Sequence, residues 1–103
     1  MTRESIFVDT GAWFAYINAS DPDHSRVRQF LDQSPGRVSA IVEMIHITPS
    51  DEKAAWTLFE KRADKSYSFT DCTSFVVMRR QKIATAVALD SHFFQEGFIV
   101  APE

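Results

Sequence analysis

Two short apolar runs that each end in aspartate constrain this chain most: Ile6-Phe7-Val8-Asp9 near its start and Ala86-Val87-Ala88-Leu89-Asp90 near its end. β-Branched and aromatic residues bounded by a break such as Thr10-Gly11 mark a buried strand. If the two runs are neighbouring parallel strands, their carboxyl ends share the edge of an open α/β sheet where ligands bind. Asp9 and Asp90 then stand at that edge, and Asp71 joins them from the first turn of a helix opening at Thr70. Three carboxylates gathered there repel one another unless a cation or protons intervene, which points to divalent-metal and phosphate chemistry.

The rest of the chain supplies helices around such a sheet. Ala12 to Ile17 reads as a short helix closing at Asn18, and Ser20-Asp21-Pro22 starts a second, with Ser20 or Asp21 as cap. Val27, Phe30 and Leu31 form the apolar stripe of that second helix, which Ser34-Pro35-Gly36 ends. Arg37 to Thr48 is β-prone without an internal turn signal and reads as one overlong strand. Ser50 then caps a helix with Asp51 and Glu52 in its first turn and Ala55, Leu58, Phe59 and Ala63 on its buried side. The helix from Thr70 buries Cys72, Phe75, Val76 and Met78, and Arg79, Arg80 and Lys82 at its end suit the helix dipole or a phosphate backbone. A strand over 86–89, a helical turn at 90–94 and a strand over 98–100 complete the pattern. Strands alternating with helices predict a three-layer α/β/α fold with a small parallel sheet of about four strands, in a single domain over 1–103.

Charge and cysteine content exclude some functions. A net charge of −3 gives no global positive field for nucleic acid, so RNA or DNA binding must be local or bridged by metal. The single Cys72 forms no internal disulfide, no apolar run approaches the roughly 18 residues needed to cross a bilayer, and a cytoplasmic protein is expected. Each acid also has a plain structural explanation, Asp9 and Asp90 as helix caps and Asp71 as a first-turn acid. His24 and His46 lack ligand spacing, His92 beside Asp90 could hydrogen-bond near the site but is expected at the surface, and Cys72 reads as a buried thiol. Trp13, Phe14, Tyr16 and Trp56 read as core or interface aromatics, and no Walker loop, dinucleotide turn or zinc motif is present.

Taken jointly, Ile6-Phe7-Val8-Asp9-Thr10-Gly11-Ala12-Trp13, Ser68-Phe69-Thr70-Asp71-Cys72-Thr73-Ser74-Phe75 and Leu89-Asp90-Ser91-His92-Phe93 resemble the PIN domain, in particular toxin ribonucleases of the VapC type. The likeness keeps the family's order along nearly the whole chain and includes Ile45 to Pro49 before the helix carrying Ala55, Trp56 and Phe59. The resemblance implies a metal-dependent endoribonuclease acting on RNA, with Asp9, Asp71 and Asp90 holding Mg²⁺ or Mn²⁺ and the hydroxyl of Ser74 or Thr10 supporting the site.

One departure from the family pattern matters. Family members carry a strand, a helix with a metal-site Glu and a further helix before the segment matching Val42 to Thr48, whereas here Gly36 to Ala40 runs straight into it. About two central helices are absent by this reading, and Glu43 lies in the wrong context to replace the lost acid. The apolar surface so uncovered predicts a homodimer or a domain-swapped pair using the strand over 37–48 and its neighbours, and the family implies a VapB-like antitoxin. The alternative function is a catalytically degenerate PIN-like binding or oligomerisation module. A phosphatase of another doubly wound family is a third reading, but its Asp-x-Asp start is absent, because Thr10-Gly11 follows Asp9.

Overall fold

The computed structural model describes residues 5–33 and 45–102. Along them run β1 (Ile6–Val8), α1 (Thr10–Ile17), α2 (His24–Gln33), α3 (Pro49–Lys61), α4 (Phe69–Arg80), β2 (Thr85–Val87), α5 (His92–Gln95) and β3 (Ile99–Ala101). The strands are all parallel in the order β1-β2-β3, with Phe7 beside Ala86 and Ala86 beside Val100. The N-terminal and near-C-terminal apolar runs are therefore hydrogen-bonded neighbours, the arrangement that the sequence argument supposed.

Side-chain alternation along the strands creates the layers. Ile6 and Val8 of β1 and Val87 of β2 face α1 and α2, where Ala12, Ala15, Val27 and Leu31 are buried. Phe7, Ala86 and Ala88 face the other way, into a core with Ala55, Cys72, Phe75, Met78 and Phe93 from α3, α4 and α5. Small residues at 86 and 88 leave room for rings, and Phe75 meets Phe93 edge-on at 5.0 Å between centroids. Helices on both faces of a small parallel sheet make the three-layer architecture.

Local chemistry fixes where the helices begin. Thr48 caps α3, its Oγ1 accepting the Asp51 N–H and its own N–H donating to Asp51 Oδ2, both at 3.0 Å. The expected cap at Ser50 is displaced because the reciprocal box needs an acid three residues on, which Asp51 supplies to Thr48, and Pro49 fits the first turn. Ser68 and Asp71 form the same box, so α4 opens at Phe69, one residue before the expected Thr70. By contrast α2 begins only at His24, because the Asn18 and Asp21 side chains accept backbone N–H groups of Ser20 and Asp23 and turn the chain locally. α4 also buries Val77 and leaves Val76 half-buried, since it packs on both α3 and the sheet.

Three readings of the sequence change. The described residues hold three strands, not four, and residues 45–48 of the stretch expected as a strand have no regular structure. That end of the stretch serves as the entry to α3, with Thr48 as cap, while residues 37–44, including Glu43, lie outside the described residues. No helix occurs between α2 and α3 among the described residues, and none of the helices is long and apolar enough to cross a membrane. Arg79 and Arg80 are neither simple dipole complements nor free to grip phosphate. Arg80 pairs bidentately with buried Asp51, Nε to Oδ1 at 2.8 Å and a terminal nitrogen to Oδ2 at 2.7 Å. Arg79 and Arg62 both donate to Glu96, whose side chain is 2% exposed.

Candidate metal centre

Asp9 is held by its backbone. Its N–H extends the β1–β2 ladder to the Val87 carbonyl at 3.0 Å, and its own carbonyl accepts from Ala12 and Trp13 at the start of α1. The carboxylate is thus fixed between a strand end and a helix start, and it does not cap the helix. Burial pushes the Asp9 carboxyl above its ordinary value, the negative charges of Asp90 and Asp71 push it further, and the Thr10 and Gly11 N–H groups pull the other way. The acids of three separate elements therefore share one electrostatic environment.

Asp71 and Asp90 are joined by a residue that sequence reasoning placed at the surface. His92 Nδ1 lies 2.8 Å from Asp71 Oδ2 and 3.8 Å from Asp90 Oδ2, and the His92 backbone N–H donates to Asp90 Oδ1 at 3.0 Å. Asp71 is 13% exposed and His92 23%, against 47% for Asp90, so the cluster runs from a sheltered end to an open one. Ligand atoms of Asp71, Asp90 and His92 lie within 4.8 Å of one another, close enough to hold a metal ion. The signal available in the sequence was the spacing Asp90-Ser91-His92, which lets an Asx turn swing the imidazole back over the strand end.

The supporting hydroxyls are placed differently. Thr10 is exposed at the first position of α1, and Ser74 is half-buried one turn along α4 from Asp71. Neither hydroxyl bonds to the acids among the described residues. His24 lies outside the cluster, its Nδ1 2.8 Å from the Ala15 carbonyl, where it ties α2 to α1. His46 is exposed ahead of α3, and Cys72 is a buried thiol pushed up by that burial, as expected.

A sheet with acids gathered at the carboxyl ends of β1 and β2 and at the start of α4 is the arrangement of a PIN domain, and the chain belongs to the VapC-type toxins of that family. It superposes with a TM-score of 0.85 and 30% identity on a crystal structure of Mycobacterium tuberculosis VapC20, described as a sarcin-ricin loop cleaving toxin, covering 92% of this chain and 97% of that one. It is also 41% identical over 68 residues to the proteins named 23S rRNA-specific endonuclease VapC20 from M. tuberculosis strains CDC 1551 / Oshkosh and H37Rv. That match spans 65% of this chain and 52% of the relative, so the chain spans about half the length of the curated relatives it matches. No family model matches the sequence.

Proposed function

We propose that this chain is a metal-dependent endoribonuclease of the PIN/VapC toxin type, with Asp9, Asp71 and Asp90 holding Mg²⁺ or Mn²⁺. The observation that carries this reading is the close group of Asp71, Asp90 and His92, whose ligand atoms lie within 4.8 Å of one another; Asp9 stands outside that group, but the charges of Asp90 and Asp71 reach its carboxyl and add to the rise that burial causes. A fold keeps such repulsion where a cation relieves it. Asp71 and Asp90 offer the hard carboxylate oxygens that Mg²⁺ and Mn²⁺ prefer, with the His92 imidazole beside them. The residues present therefore fit the ion.

A divalent ion bound there supplies a Lewis acid for a phosphoryl oxygen and a water that ionises more readily. The protein's own part is orientation. The strand ladder and the start of α1 fix Asp9, the capping box and His92 fix Asp71, and the Asx turn before α5 fixes Asp90. The hydroxyls of Thr10 and Ser74 flank these acids in sequence and in structure and would hold water or substrate oxygens near them.

The substrate is RNA, and the sarcin-ricin loop of 23S rRNA is the first target to test, because the VapC20 relatives are named for it. Partners follow from the family and from exposed apolar side chains. Phe14 and Ile17 on α1 are 59% and 74% exposed, which supports a homodimer, domain-swapped or otherwise, and a VapB-like antitoxin that covers such surface in the cytoplasm. Light scattering that finds a compact monomer at all concentrations would sink the dimer.

A binding-only PIN-like module is the second reading. It is favoured by Asp71 Oδ2, which already accepts from Ser68 N–H and from His92, so that part of the carboxylate's capacity is structural. The deciding experiment is cleavage of a sarcin-ricin stem-loop and a panel of other RNAs in Mg²⁺ or Mn²⁺, with chelator and Asp9→Asn controls. Cutting that needs both metal and Asp9 supports the nuclease; a folded protein that never cuts supports the module.

A further inference from the structure

Asp71 divides its carboxylate between two environments. Oδ2 accepts from the Ser68 backbone N–H at 2.9 Å and faces His92 Nδ1 at 2.8 Å, while Oδ1 has no hydrogen-bond partner among the described residues. The 2.8 Å contact is a hydrogen bond to the carboxylate in the tautomer that carries the ring proton on Nδ1. The ring itself is held on three sides. Its backbone N–H is tied to Asp90 Oδ1 at 3.0 Å, its Nδ1 to Asp71, and the ring packs edge-to-face with Tyr67 at 5.5 Å between centroids and 61° between planes. Tyr67 is in turn buried and packed edge-on against Phe75 at 5.1 Å, so the imidazole leans on the core.

We propose that His92 is a positioning residue of the metal centre and not one of its ligands. Its Nδ1–H pins Asp71 Oδ2 and leaves Oδ1 as the one oxygen of that carboxylate open to a divalent ion. The proposal rests on the reading of the three acids as a metal site. The competing arrangement uses His92 as a ligand through Nε2, with Asp71 reduced to orienting the ring. In that arrangement the ion takes an imidazole nitrogen beside the carboxylate oxygens, since ligand atoms of Asp71, Asp90 and His92 lie within 4.8 Å of one another. Oxygen-preferring Mg²⁺ or Mn²⁺ and the free Oδ1 favour the first arrangement.

Two substitutions separate these roles. Asn places an amide N–H donor close to the Nδ1 position but offers no ring nitrogen, whereas Phe keeps the ring against Tyr67 and loses the donor. Mn²⁺ binding, read from the electron paramagnetic resonance of free ion, is compared for the parent, His92→Asn, His92→Phe and Asp9→Asn proteins, each checked for folding by near-ultraviolet circular dichroism. His92→Phe should weaken Mn²⁺ binding by about tenfold or more, the usual loss when an orienting partner is removed, and raised Mn²⁺ should restore cleavage. His92→Asn should stay within about threefold of the parent, because the donor survives. Equal losses in both variants overturn the proposal in favour of a ligand.

Nitrogen-15 spectra of the parent give a readout that needs no variant to fold. The Nδ1–H tautomer of His92 should be present without metal and keep an unshifted Nε2 at saturating Mg²⁺, and a metal-induced Nε2 shift overturns the proposal. If the parent binds no Mn²⁺, or Asp9→Asn leaves binding unchanged, the metal-centre reading falls and takes the positioning role with it. Loss of binding in Asp9→Asn with a shifted Nε2 sinks the positioning role alone.

Discussion

Glu96→Gln tests how the core beneath the site is held. The Glu96 side chain is 2% exposed and accepts from Arg62 Nε at 3.0 Å, from a second Arg62 nitrogen at 3.1 Å and from Arg79 at 3.1 Å. Gln keeps the shape but turns an N–H group toward one of these donors and removes the charge. Hydrogen bonds to charged groups contribute roughly 1.5–3 kcal/mol each, and breaking one side of a buried pair costs about 3–5 kcal/mol. Arg62 and Arg79 are 34% and 49% exposed, so both guanidiniums recover part of their hydration when the carboxylate is lost. The Arg79 bond to the Glu96 carbonyl, at 2.9 Å, survives the substitution. We therefore expect a net loss of about 2 kcal/mol, which in a domain of this size lowers Tm by roughly 8–16 °C.

The assay is urea and thermal unfolding followed by circular dichroism, with Asp23→Asn as control. Asp23 pairs with Arg26 at 2.9 Å on the surface, and its loss should cost less than about 0.5 kcal/mol. Acid supplies a second signature. Burial pushes the Glu96 carboxyl up, but Arg62, the Tyr67 hydroxyl beside it and Arg79 together outweigh that and hold it below its ordinary 4.5. A depressed carboxyl contributes stability that is present above 4.5 and lost as pH falls through its folded value, so the parent and Glu96→Gln curves should converge in acid. A variant within about 0.5 kcal/mol of the parent at pH 7, or a gap unchanged down to pH 3, would refute the reasoning.

The remaining predictions concern the core, the caps and the acids. Phe75→Ala removes a fully buried ring that meets Tyr67, Phe93 and Phe98, and chemical denaturation should register a loss of about 3–5 kcal/mol. Thr48→Ala and Ser68→Ala each break a capping box and should each cost about 1 kcal/mol in unfolding, but only Ser68→Ala should also weaken Mn²⁺ binding, because its box contains Asp71. Asp9→Asn should abolish cleavage while raising Tm at neutral pH. Its carboxyl is raised above 3.8 in the fold, chiefly by burial, so ionisation costs stability as pH rises through that window, and the amide removes the cost.

The fold was legible in the sequence wherever one residue type leaves few choices. Ile6 to Val8 and the run over 86–89 read as strands because their β-branched and small apolar residues suit burial on both sheet faces, and the structure pairs the first with Thr85–Val87, one residue earlier and two shorter at the far end than the run. Helix starts were less legible, since Thr48 and Ser50, or Ser68 and Thr70, offer the same hydroxyl to a backbone N–H. Only the reciprocal bond from an acid three residues on selects Thr48 and Ser68, and that bond is a pair property, invisible when caps are read one residue at a time. The basic end of α4 misled for a related reason. Arg79 and Arg80 adjoin in sequence but diverge in space, one to Glu96 of the turn after α5 and the other to Asp51 of α3, and neither long-range partner leaves a local trace.

The same distinction bears on the candidate site, where the sequence groups Asp9, Asp71 and Asp90 while the structure brings Asp71 and Asp90 closest to His92. Each acid ends a strand or opens a helix, so parallel topology alone delivers all three to one edge, whatever their side chains do. His92 reaches that edge through an Asx turn on Asp90 and a ring contact with Tyr67, which sits at the entrance to a different helix. Topology places the acids, but packing places the imidazole. This division bears on function, since Asp71 is both an N3 capping residue and a candidate ligand, with one oxygen serving each task. The helix box and His92 together take Oδ2, so the fold secures the orientation of the acid with bonds that cost the open oxygen nothing. A metal site built on a cap in this way is preorganised by helix formation itself.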